Sequence, residues 1–330
     1  MRTALATLLL SAAICAFGQG AYRSQTQVSG TIRSCGSAQM AELMALWERG
    51  FQRFHPAVRF EDKLNGTVSG MGGLYSGTTD LSLMGREIWP TEAMAYEQTT
   101  GHSATGVQVA IGSFDVPTKA DALVVFVHHN NPITALTFSQ LRAIFGCGDE
   151  LRTATQRWGE LGATGVFADQ PIHVYGYKLD NAAAIFFKSI VLKDVEWRCG
   201  IKTFANQSSQ KSKRIDAGQL ILDALKSDPY GIAISNPHYA SPEVKAVALA
   251  LSSVAPPIPA TRETVARGAY PLARAIYIFF NHDSGRPPEP RVREFLRYVL
   301  SVQGQQDVIQ EGAYLPLPER VRQAQLREIP

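Results

Sequence analysis

The 330-residue sequence is poor in cysteine, with four. None are spaced Cys-x-x-Cys and the seven histidines are scattered, so a zinc site has no ligand set to build on. So few cysteines in so long a chain also exclude a disulfide scaffold, which leaves stability to a hydrophobic core. An excess of one charge is missing too: 32 Lys and Arg stand against 29 Asp and Glu, a net +3. No basic cluster is interleaved with aromatics, as a nucleic-acid surface requires. Internal repeats and low-complexity tracts are absent. So is a Gly-x-Ser-x-Gly nucleophile elbow, because Gly66-Thr-Val-Ser-Gly70 holds its serine one residue out of register and offers no His/Asp partner. No enzyme, metal or cofactor is expected.

Beyond residue 18 there is no apolar run long enough to span a bilayer. Before it, Arg2 is the only charge, and a short apolar run from Ala4 to Phe17 leads to small residues at a plausible cut site. Residues 1–18 therefore read as a signal peptide, with an uncleaved anchor as the alternative. Cleavage would give a soluble periplasmic or secreted protein. In that oxidising compartment Cys147 and Cys199, in the similar settings Phe-Gly-Cys-Gly and Trp-Arg-Cys-Gly, are the expected disulfide pair, leaving Cys35 free. The remaining length, roughly 310 residues, exceeds what one core usually organises, so two lobes are expected.

Periodicity gives an alternating α/β order. A short strand at Val28–Arg33 runs into the turn Ser34-Cys-Gly-Ser37, and Met40, Leu43, Met44, Trp47, Phe51 and Phe54 then recur at helical spacing with Ser37 as N-cap. Strands follow at Val58–Phe60 and Asp80–Met84, with a helix opening near Ser69 between them. Ala122–His128 reads as a buried strand, and Ile172–Tyr175, Gly231–Ser235 and Ala273–Asn281 read as strands. Helices are expected at Phe138–Phe145, Ala182–Leu192, Gln219–Lys226, Val292–Gln303 and Gln305–Gln310, and Ala255–Pro259 as a linker.

Two turns carry chemistry. Ser34–Ser37 and Gly66–Gly70 each set hydroxyls and small residues at a helix start, where unpaired N–H groups and the helix dipole favour an anion.

The run Asn65-Gly-Thr-Val-Ser-Gly-Met-Gly-Gly-Leu-Tyr-Ser-Gly-Thr-Thr-Asp80, continuing to Arg86-Glu87, resembles the phosphate-binding proteins that serve ABC importers. Gly36-Ser-Ala38, Ala122–Val127, Phe138–Phe145 with Trp158, Tyr270-Pro-Leu and Gly312–Pro318 are similar to further family landmarks, in the same order. The resemblance implies a type II periplasmic-binding-protein fold: two α/β lobes joined by a two-strand hinge, with 28–120 plus 261–330 in lobe I and 121–260 in lobe II. It further implies a monomeric solute-binding protein that holds a small anion, phosphate or similar, in the cleft and delivers it to an inner-membrane ABC permease. A sensor or interaction module that kept the fold and lost phosphate binding is the alternative.

Carried over position by position, the family's ligand contacts fall on Ser37 and Ala38 at the first turn and on Ser69 and Gly70 at the second. The family's aspartate, which accepts from protonated phosphate, is replaced by Gly85 or Arg86. Its Arg and Ser-Gly-Thr are replaced by Tyr177 and Asn181-Ala182-Ala183. Charge-assisted hydrogen bonds contribute about 1.5–3 kcal/mol each, so these losses need compensation. Arg86 or Lys178 is placed to supply a cation.

Overall fold

The computed structural model describes residues 20–117, 119–147, 155–208, 214–282 and 287–329. The expected signal peptide lies outside the described residues.

Two five-stranded mixed sheets organise the chain. The first has the order 58–63, 30–36, 81–84, 275–280, 105–111, and the second the order 202–204, 173–177, 231–235, 124–128, 244–246. In each, the fourth strand in this order, 275–280 or 124–128, runs antiparallel to its neighbours. These are the strands on which the chain enters the sheet after crossing from the other one.

The two crossings lie side by side. Leu123 donates its N–H to the Leu272 carbonyl at 3.0 Å, and Gly112 donates to Arg274 at 2.9 Å. The result is two α/β layers joined by a pair of adjacent extended segments, the architecture the sequence led us to expect.

Helix α1 (Ala41–Gln52) follows a short 3-10 turn and buries Leu43, Met44, Trp47, Gly50 and Phe51, a 3.6-residue stripe. The Trp47 indole N–H is satisfied by the Gly304 carbonyl at 2.9 Å. Helix α2 (Val68–Tyr75) is built from small residues because it packs closely: a Cβ at Gly70 would collide with the Ser82 hydroxyl. Helix α3 (Pro90–Thr100) was not foreseen; it buries Tyr96 and shows no apolar stripe.

Helices α4 (Phe138–Phe145), α5 (Ala182–Phe187) and α6 (Ala217–Lys226) accompany the second sheet. The expected helix at 182–192 changes after Phe187 to a wider π turn over Lys188–Leu192. Helix α7 (Arg262–Ala266) precedes the returning crossing, and α8 (Pro290–Val299), α9 (Val302–Glu311) and α10 (Glu319–Arg327) close the chain. No helix of the described residues is long and apolar enough to cross a membrane.

The expected disulfide is not made. Cys35, Cys147 and Cys199 are all free thiols. The segments carrying Cys147 and Cys199 do meet, but the register sets Cys147 opposite Glu196 and leaves Cys199 beyond the ladder. There Cys147 Sγ donates to the Trp197 carbonyl at 3.4 Å, and Cys199 is exposed.

Candidate functional site

A cavity of about 860 Å3 opens between the two sheets, at the crossings. From the first-sheet side it is lined by Ser37, Ala38, Gln39, Gly66, Thr67, Gly85 and Arg86, and by Arg274 from the returning crossing. The outgoing crossing adds Lys119, Ala120 and Asp121. From the second-sheet side come Tyr177, Asn181-Ala-Ala183, Asn236, Tyr239 and the segment around Asp216.

The first turn arrives here because strand 30–36 ends beside strand 81–84. Gly36 has φ +135° and a Cβ on it would collide with the Leu83 carbonyl, so only glycine lets the chain turn this tightly. Ser37 is buried and stands in extended conformation at the expected N-cap position, that of the short 3-10 turn, but its hydroxyl makes no capping bond. Gly85 leaves the space this hydroxyl needs, since a Cβ there would lie 3.0 Å from Ser37 Oγ.

At the second turn Thr67 lines the cavity and the expected Ser69 does not. Ser69 Oγ turns back to the Gly66 carbonyl at 2.8 Å and does not line the cavity, and Gly70 is packed against Ser82. Thr67 does line it and makes no side-chain capping bond.

On the opposite wall, Asn181 Oδ1 accepts from the Ala183 N–H at 2.8 Å and so caps α5. The Tyr177 hydroxyl donates to Asn236 Oδ1 at 3.0 Å, and burial raises its pKa. The Tyr239 hydroxyl is pushed up to about 12 by burial and by the charges of Asp216 and Asp121.

Of the cations that line the wall, Arg86, Lys119 and Arg274 are already engaged, while Arg214 stands exposed. Arg86 makes a two-point bond to Glu92 at 2.7 and 2.8 Å and lies 3.8 Å over the Trp89 ring. Lys119 reaches Glu311 at 2.7 Å and the Gln39 carbonyl at 2.6 Å, and Arg274 bonds Glu87 at 3.0 Å. Lys178 is exposed and pairs with Asp180 at 3.0 Å, outside the cavity. Asp121 is different. It is 6% exposed, and neither oxygen has a hydrogen-bond partner among the described residues.

Seven of the nine sequence-derived residues, Ser37, Ala38, Arg86, Tyr177, Asn181, Ala182 and Ala183, thus line one cavity; Ser69 and Gly70 do not. Sequence reasoning missed Thr67, Asp121, Asp216, Asn236 and Arg274. Thr67 was within reach, as a hydroxyl in the same Gly-rich turn. The others had no local signal, because they meet only through the crossings.

Residues 21–303 match the family described as a PBP superfamily domain. The chain is 31% identical to the phosphate-binding protein PstS of Pseudomonas aeruginosa, over 93% of this chain and 90% of that protein. Among solved structures it resembles PstS from Borrelia burgdorferi (TM-score 0.57, 15% identity, 88% of this chain and 100% of that one). It also resembles an ABC-type phosphate transport receptor from Vibrio cholerae (TM-score 0.54, 18% identity, 86% and 99%). At such identities these two likenesses speak for the fold.

Proposed function

The chain belongs to the PBP superfamily, and we propose that it is a periplasmic solute-binding protein that takes a small tetrahedral anion, phosphate first among them, into the cavity between its sheets. The observation that carries this reading is the convergence of Ser37-Ala38 and Thr67 from one sheet with Asn181–Ala183 from the other on one cavity at the crossings. Small residues and hydroxyls at helix starts present N–H and O–H donors without bulk, which suits an oxyanion.

The lobes of this reading are 28–120 plus 261–330 and 121–260, hinged on the two adjacent crossings. Ligand closes them, as in other hinged binding proteins. The protein is a monomer that binds rather than catalyses, reaches the periplasm after loss of residues 1–18, and hands its cargo to an ABC permease that reads the closed form. The names of its relatives support binding and transport of phosphate. The arginine and Ser-Gly-Thr of the resembling family are replaced, so Arg274, from the returning crossing, and the amides near Ala182, from the second-sheet wall, take over.

Thermal-shift screening of the secreted protein against phosphate, sulfate, molybdate and small carboxylates tests the proposal. A ligand at one hundred times its Kd stabilises by about 2.7 kcal/mol. For a chain of this size that is a rise of several degrees. A rise with phosphate supports the reading; a rise with carboxylates alone, or with nothing, overturns it.

A further inference from the structure

Two side chains of opposite sign in the cavity wall are left unsatisfied by the protein. Asp121 is 6% exposed and has two buried oxygens without a partner among the described residues. Arg274, also 6% exposed, has a buried Nε without an acceptor while its other end holds Glu87. Buried polar groups of native proteins are almost always satisfied, so each of these calls for a partner from outside. They sit on the two crossings and line the same cavity. A bare oxyanion answers the arginine and is repelled by an ionised Asp121.

The charge around this cavity has the same asymmetry. Arg86, Lys119 and Arg274 each hold a carboxylate of their own, Glu92, Glu311 and Glu87. Asp121 and Asp216 line the cavity as well, and neither pairs with a cation among the described residues. Asp216 is half-buried at the start of α6, where one of its oxygens accepts from the Gly218 N–H at 2.8 Å. Burial pushes the Asp121 carboxyl up to about 7; Asp216 and Asp115 add to this, and Ser113 and Arg274 oppose it without offsetting it. The wall thus offers two carboxylates that a cation would satisfy. It also offers room: the cavity is about 860 Å3, whereas a five-atom oxyanion at about 30 Å3 per water-sized centre fills on the order of 150 Å3.

We propose that the preferred ligand of this cleft is zwitterionic, a phosphate monoester or phosphonate with a protonated amine on a short alkyl arm, its oxyanion toward Arg274 and its ammonium toward Asp121 and Asp216. This rests on the reading that the cleft binds an oxyanion, and it names the organic part that the same cavity takes. An ammonium has three donors and no acceptor, so it satisfies Asp121 with one hydrogen and keeps others for Asp216. The oxyanion, at the other end of the arm, accepts from Arg274 Nε. Both unpartnered groups are then paired through charge-assisted bonds, which are the strong ones. Inorganic phosphate enters the oxyanion half alone and leaves the carboxylates as they are.

The test is titration calorimetry of the secreted protein with inorganic phosphate, O-phosphoethanolamine and propyl phosphate at about pH 8, where the phosphoryl groups are dianions and the amine is still protonated. Propyl phosphate carries a methyl where phosphoethanolamine carries its ammonium, so the pair isolates the charge. Phosphoethanolamine is expected to bind about tenfold or more tighter than either of the others. Asp121→Asn and Asp216→Asn should each cut the ratio of phosphoethanolamine to propyl phosphate affinity about fivefold or more. Glycerophosphoethanolamine, the diester that a lipid headgroup supplies, separates the sources. Tighter binding of the monoester marks a free aminoalkyl ester and tighter binding of the diester a lipid-derived one, and either supports the ammonium site. Equal wild-type affinity for phosphoethanolamine and propyl phosphate, tightest binding of inorganic phosphate, or an unchanged ratio in the folded variants would each overturn the proposal and leave the cleft reading standing. If neither variant folds, the wild-type ratio decides alone. Wild-type protein that binds none of these ligands sinks the cleft reading itself.

Discussion

Arg274 holds its guanidinium carbon 4.4 Å above the ring of Phe186, joining the returning crossing of one sheet to helix α5 of the other. The same arginine is tied to Glu87 at 3.0 Å and lines the cavity, so one side chain links the hinge, the far wall and the site.

Phe186→Leu keeps an apolar body and removes the ring face under the cation. A buried cation–π contact contributes roughly 1–2 kcal/mol. The variant should bind phosphate about 5- to 30-fold more weakly, and small-angle scattering should show a larger radius of gyration at subsaturating phosphate. Unchanged affinity and radius would remove Arg274–Phe186 from the closing device.

Glu48, half-buried on α1, lies beside the exposed Asp62 on strand 58–63, whose carboxylate accepts from Ser34 Oγ at 2.5 Å. Burial, then the hydrogen bond and charge of Asp62, raise the Glu48 pKa. The folded protein therefore holds this proton more tightly than the unfolded chain. Stability is lost as pH rises from the ordinary carboxylate range until folded Glu48 has ionised. Urea unfolding should show that decline, and Glu48→Gln should flatten it; a variant with the wild-type slope would assign the decline elsewhere.

Gly36 combines φ +135° with a Leu83 carbonyl standing where a Cβ would be. Gly36→Ala must bear both strain and collision, together at least about 2–3 kcal/mol. The urea midpoint should drop accordingly, or the protein should fail to accumulate. A neutral outcome would show that the turn before Ser37 has room to spare.

Three thiols should react in the denatured secreted protein, since Cys35, Cys147 and Cys199 are free. Finding one would restore the Cys147–Cys199 pairing that their similar sequence settings suggest.

What could be read from the sequence follows the physics of each element. Helix α1 and strand 124–128 announced themselves because their burial is one-sided or complete. Helices α3 and α10 did not, because α3 buries Tyr96 and α10 buries Arg322, which leaves no stripe to see. At the site, Ser37 was legible as a hydroxyl before a helix. Ser69 stands off the cavity, and sequence cannot tell which hydroxyl of a Gly-rich turn folds back on its own backbone. Asp121 and Arg274 look like ordinary ends of apolar strands. Their meaning arises only where the two crossings, far apart in sequence, lie together.

The most direct measurement is a calorimetric titration of phosphate into the secreted protein near neutral pH. The account predicts saturable binding at one site per chain, weakened at least about tenfold by Arg274→Ala, because that guanidinium supplies a charge-assisted bond. A protein that gives no saturable binding with phosphate, or binds it equally well without Arg274, would contradict the account.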